Sequence, residues 1–189
     1  RRKIEVHFCR INQFSMNEGN INIHSQKITQ IEKEINYQDP ELNLSSFFKK
    51  IFIRKDPPFD DNYLNLTYLL DHAVKEGIDV INNPSSVRNH NEKLSILNFK
   101  EIIPPTIVTS NSSSVVNFLK IHEKIVLKPI NGMGGNGIFV IDKTDKNINS
   151  ILETITVNET KVMMAQKYIP DINEGDKRII VIKGEPLPF

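Results

Sequence analysis

Residues 125–141 read IVLKPINGMGGNGIFVI. Lys128 stands shortly before a loop in which Gly132, Gly134 and Gly137 satisfy G-x-G-x-x-G, with Gly135 inside the pattern. The backbone N–H groups of such a loop can wrap a phosphate while a lysine reaches its oxygens from the strand beneath. Glycine serves this because close backbone approach and positive φ cost it little. A dinucleotide fold needs the loop to enter a helix, so that the pyrophosphate meets a helix N-terminus. Here a β-type run, IFVID, follows Gly137. A Walker A loop needs Lys and Ser or Thr directly after its last glycine, where this chain has Ile138 and Phe139. Kinases place a glycine flap between antiparallel strands but require HRD and DFG segments, and neither tripeptide occurs. Taken alone, the loop is either a phosphate flap or a plain glycine-rich hairpin with an exposed lysine.

Other reactive residues suggest no second chemistry. His7, His24, His72, His90 and His122 have no metal-ligand spacing with one another or with Cys9. DKTDKN (142–147) lacks the glycine and alternation of a calcium loop. The chain has no G-x-S-x-G.

The elements that must carry the flap are legible from periodicity. IEVHFC, INIH (21–24) and FKKIFIRK (48–55) are strand candidates, the last stopped by Pro57 and Pro58. Leu66, Leu69, Leu70, Ala73 and Val74 fall at helical spacing, with Gly77 as the C′ residue. IDVI (78–81) follows as a strand, and Asn83-Pro84 as a turn. Residues 86–99 read as one helix, TIVT as a strand, and 112–114 as the cap of a helix reaching about His122. A helix bearing Ile148, Ile151, Leu152 and Ile155, then strands KVMMAQKYI and RIIVI, complete the chain. This alternation predicts a layered α/β protein. With 189 residues, 39% apolar and 25% charged, the chain can bury an ordinary globular core. A net charge of +1 argues against nucleic acid as a partner, and no apolar run is long enough to span a membrane. A single cysteine excludes an intrachain disulfide and fits a reduced, cytoplasmic thiol.

Five segments in order, RKDPPFD (54–60), NPSSVRNHNEKL (83–94), IVLKPINGMGGNGI, MAQKYIP (164–170) and GDKR (175–178), closely resemble the prokaryotic-type glutathione synthetases, which are ATP-grasp ligases. RKDPPFD and NEKL followed by LKPINGMGG are specific to that family in combination. The resemblance runs along essentially the whole chain. It implies an ATP-grasp fold (α/β, α+β) at 88–189, preceded by a Rossmann-like substrate-side domain at 1–87, both incomplete. The expected missing parts are the first strand and helix, and a later acidic strand ending in Glu-x-Asn.

The implied activity is glutathione synthase: ATP phosphorylates γ-glutamylcysteine, and glycine attacks the acyl phosphate. Lys93 and Lys128 would contact ATP phosphates, and Gly132, Gly134, Gly135 and Gly137 would form the lid. Gln166, Lys167, Tyr168 and Ile169 would face adenine, and Asp176 the ribose. Arg178 would stabilise charge on the transferred phosphoryl group, with Arg54 and Asp56 on the peptide side. Mg2+ or Mn2+ is implied, with no ligands in this chain, as is a cytoplasmic homo-oligomer at full length, without membrane or nucleic acid. The 189 residues alone are expected to be inactive. Other ATP-grasp carboxylate–amine ligases would share Lys128 and the flap but not RKDPPFD, and an inert nucleotide-binding remnant is the reading outside enzymes.

Overall fold

The computed structural model describes residues 4–31, 35–182 and 184–188. The chain divides into two compact units, one of residues 1–96 with 130–136, the other of 97–129 with 137–189.

The first unit opens with an antiparallel sheet. Strands β1 (His7–Phe8), β2 (Phe14–Asn17), β3 (Asn20–Ile31), β4 (Ile35–Tyr37) and β5 (Glu41–Leu44) all meet on the long β3, which pairs with each of the others. Ile21, Ile23 and Ser25 on one face of β3 are buried, the period-2 pattern of a half-buried strand. The short strand expected at 21–24 is thus twelve residues long, whereas IEVHFC contributes only His7 and Phe8. Next, β6 (Lys50–Phe52) and β7 (Asp79–Ile81) pair in parallel, joined by helix α1 (Asp61–Lys75). This βαβ unit is the Rossmann-like part of the chain.

Asp60 caps α1, its carboxylate accepting from the Tyr63 N–H at 2.9 Å. Gly77, at φ +89°, follows its C-cap Glu76. The apolar stripe packs as expected: Leu66, Leu70 and Ala73 join Tyr63, Ile53, Ile78 and Val80 in one core. Asn83 does not make a turn. It caps helix α2 (Pro84–Asn89), its side chain accepting from Ser86 N–H at 3.1 Å with Pro84 at the first position. The single helix expected over 86–99 is absent. The Asn91 side-chain oxygen Oδ1 accepts from the N–H groups of Lys93 (2.9 Å) and Leu94 (3.1 Å), and this local turn ends α2 before a 3₁₀ segment, Leu94–Phe99.

The second unit is a four-stranded antiparallel sheet with order β10-β9-β11-β8. These strands are β8 (Thr106–Thr109), β9 (Lys124–Pro129), β10 (Phe139–Asp142) and β11 (Met163–Lys167). Helices α3 (Ser112–His122) and α4 (Ile148–Thr156) bury Val115, Leu119, Leu152 and Ile155 against Ile125, Leu127, Ile141, Met163 and Ala165. Asn111, rather than the serines, caps α3 through the Ser114 N–H at 2.8 Å. The expected strand RIIVI is reduced to β12 (Val181–Ile182), paired with β13 (Glu185–Pro186). Among the described residues no helix is long and apolar enough to cross a membrane.

Candidate functional site

The sheet of the second unit sorts its residues by parity. Odd positions 125 and 127 on β9, and 163 and 165 on β11, are buried in the core with α3 and α4. Val126, Lys128, Met164 and Gln166 therefore lie on the opposite face. The register places Met164 opposite Lys128, and Gln166 opposite both Val126 and Thr106. Lys128 and Gln166 are then diagonal neighbours, a separation that long side chains bridge. The Lys128 ammonium donates to Gln166 Oε1 at 2.6 Å. Gln166 Nε2 donates to Thr106 Oγ1 at 2.9 Å, and the Thr106 hydroxyl to the Pro104 carbonyl at 2.7 Å. Gln166 is only 5% exposed, so each of its polar atoms needs such a partner. Three strands thus hold one ammonium group in place. Thr106 escaped the sequence reading because only strand register brings it to Gln166, sixty positions away.

The exit of β11 is the next part of the site. The Lys167 N–H donates to the Pro105 carbonyl at 2.9 Å, and the Tyr168 N–H to the Lys124 carbonyl at 3.1 Å. The next backbone donor along the chain is that of Ile169, whose side chain is exposed. The Tyr168 ring lies 4.3 Å from the Lys124 ammonium, and its hydroxyl donates to Asn173 Oδ1 at 3.3 Å, which together fix this corner. Asp176 and Arg178 follow in an exposed stretch without regular structure.

The glycine loop leaves β9 at Pro129 and returns before β10. Gly134 and Gly135 sit at φ +62° and +78°, a left-handed turn that L side chains resist, and the Asn136 N–H donates to the Met133 carbonyl at 3.2 Å. At the base, a Cβ on Gly137 would stand 2.9 Å from Pro129 Cγ. Residues 130–136 belong with the first unit, where the Lys93 ammonium donates to the Gly132 carbonyl and pairs with Glu92 at 2.8 Å. Asn91 Nδ2 reaches Asn131 Oδ1 at 3.5 Å. Lys93 stands in the turn after α2, not on a helix.

The structure therefore brings Lys93 to Gly132, and Lys128 to Gln166. Arg54 and Asp56, beyond β6, are exposed. Among the described residues there is no group of three or more His, Cys, Asp or Glu that could hold a metal ion.

The family model for the N-terminal domain of prokaryotic glutathione synthetase matches residues 1–88, and that for its ATP-grasp domain residues 92–189. The glutathione synthetase of Nitrosomonas europaea is 49% identical over 149 residues, covering 79% of this chain and 46% of that protein. That of Vibrio parahaemolyticus is 37% identical over 193 residues, covering 100% of this chain and 61% of its own length. The chain thus spans about half to three-fifths of these curated relatives. Among solved structures, D-alanyl-alanine synthetase A from Vibrio cholerae superposes with TM-score 0.52 at 12% identity, over 97% of this chain and 50% of that one. A D-cycloserine synthetase superposes with TM-score 0.50 at 16% identity, over 68% and 46%. These two share the fold alone. With two models that between them take up nearly every residue, the chain belongs to the prokaryotic glutathione synthetase family, on an ATP-grasp fold.

Proposed function

We propose that the complete protein joins γ-glutamylcysteine to glycine at the expense of ATP, releasing glutathione, ADP and phosphate. A carboxylate resists attack by an amine because its leaving group would be oxide. ATP supplies the phosphoryl group that turns the cysteinyl carboxylate into an acyl phosphate, whose leaving group is phosphate. The protein's share is then positioning and charge neutralisation. The observation that carries this reading is the Lys128–Gln166–Thr106 chain, which holds a cation on the sheet face opposite α3 and α4, beside the exit of β11.

In this reading Lys128 neutralises phosphate oxygens and Gln166 sets where it stands. The β11 exit, residues 167–169, offers backbone groups to adenine, with the Ile169 N–H as donor because those of Lys167 and Tyr168 are already engaged. Asp176 orders the ribose, and Arg178 neutralises charge on the transferred phosphoryl group. Lys93 and the glycines 132, 134, 135 and 137 bear on the phosphates, and Arg54 and Asp56 on the dipeptide. The full-length enzyme works in the cytoplasm as a homo-oligomer, with magnesium held by residues outside the set described above.

The test is ADP release from the full-length protein with γ-glutamylcysteine and glycine, beside Lys128→Ala. Release is expected to require both acceptors and to fall by about a hundredfold or more in the variant. Folded protein that binds ATP but releases no ADP with this pair would refute the glutathione assignment and leave another acceptor or an inert protein.

A further inference from the structure

We propose that Arg88 is a positioning residue for Lys93, acting through the last turn of the short helix α2 and the turn that follows it. The proposal rests on the reading of Lys93 as a phosphate contact. Helix α2 has six residues, too few to hold its shape unaided. Its fixation to α1 comes from one side. Val87 packs on the α1 core, and the Arg88 guanidinium grips α1 three ways. Nη1 donates to Thr67 Oγ1 at 3.0 Å, Nη2 donates to Asp71 Oδ2 at 2.7 Å, and the guanidinium carbon lies 4.4 Å from the centre of the Tyr68 ring. Arg88 and Asp71 are 17% and 28% exposed, so the pair is shielded enough to hold one geometry. Thr67 is wholly buried, and its hydroxyl donates onward to the Leu64 carbonyl at 2.6 Å.

Between this grip and Lys93 the chain is tied by local hydrogen bonds. The His90 N–H donates to the Ser86 carbonyl at 3.0 Å, Asn91 Oδ1 accepts from Lys93 and Leu94, and the Ser95 N–H donates to the Asn91 carbonyl at 2.9 Å. Four residues separate Arg88 from Lys93. The place of the Lys93 ammonium, and of the Gly132 carbonyl it holds, is thereby set by a clamp on α1. An apolar residue at 88 could bury as much surface. A planar fork with two fixed acceptors also fixes rotation about α2, and rotation is what would swing Lys93 away.

The experiment is a double-mutant cycle in the full-length protein, reading KM for ATP, kcat and melting temperature of Arg88→Ala, Lys93→Ala and the double variant. Arg88→Ala is expected to raise KM for ATP about tenfold. In the Lys93→Ala background the same change should raise it no further. Arg88→Lys should recover part of the loss, since an ammonium reaches one acceptor but cannot form the fork. Should Arg88→Ala fail to fold, Arg88→Lys takes its place in the cycle. A residue that merely stabilises the fold would lower the melting temperature and leave KM unchanged, or shift KM by the same factor in both backgrounds; either result overturns the proposal. No ADP release from the unsubstituted protein would instead sink the ligase reading, and the role of Lys93 with it.

Discussion

Replacing Gly137 by alanine tests the base of the glycine loop. Gly137 sits at φ +70°, where an L side chain costs about 1–2 kcal/mol. Its new Cβ would also stand 2.9 Å from Pro129 Cγ, closer than real carbon atoms approach. The proline ring is tied into β9 and cannot swing aside, so the overlap adds about 1–2 kcal/mol more. Gly134→Ala is the internal control. Its φ of +62° carries the same backbone cost, but nothing lies within 4 Å of its Cβ. The difference between the two variants is therefore the contact term alone. Because the pinch joins the end of β9 to the start of β10, the strain should fall on their pairing, Phe139 with Leu127 and Val140 with Val126. Hydrogen exchange of the β10 amides reads this directly. Gly137→Ala should exchange there about tenfold to thirtyfold faster than Gly134→Ala. Equal exchange in the two variants would refute the idea that the Pro129–Gly137 contact sets the loop's base.

Two further predictions concern side chains. Gln166→Leu removes both the acceptor for Lys128 and the donor to Thr106, and should lower stability by about 1.5–3 kcal/mol in urea titration. Gln166→Glu keeps the acceptor for Lys128 but loses the donor to Thr106, so it should cost less stability than Gln166→Leu while weakening ATP binding, because a carboxylate offsets the Lys128 charge; unchanged ATP affinity would count against Lys128 as a phosphate contact. Burial pushes the Cys9 thiol up to about 11 from 9.0. Since the thiolate is the nucleophile, iodoacetamide at pH 8 should label native Cys9 about a hundredfold more slowly than the unfolded chain. The sign follows from the raised value: the native thiol stays protonated as pH rises past 9, where the unfolded one ionises. A native rate profile that bends near pH 9 would show Cys9 to be solvated.

Local pattern carries much of this protein. The stripe from Leu66 to Val74 lies on α1, Ile148, Ile151 and Leu152 on α4, and the strands flanking the glycines are β9 and β10. Each depends on the periodicity of neighbouring residues, which a sequence displays openly. The candidate site was legible where its residues are contiguous, as in Lys128 with its glycines and in the segment 166–169. Reading failed where a short polar side chain competed with a backbone preference. Asn91 ended a helix that propensity extended to Phe99, and Asn111 capped α3 in place of the serines. What only the folded chain decided are the pairings across distance: Gln166 between Lys128 and Thr106, Arg88 across Thr67 and Asp71, and Pro129 against Gly137. Strand register and helix packing set these contacts, and a register is a property of two segments at once. One residue of slip would turn Lys128 and Gln166 into the apolar core, so the burial of Leu127 and Ala165 is what presents both on the face opposite α3 and α4.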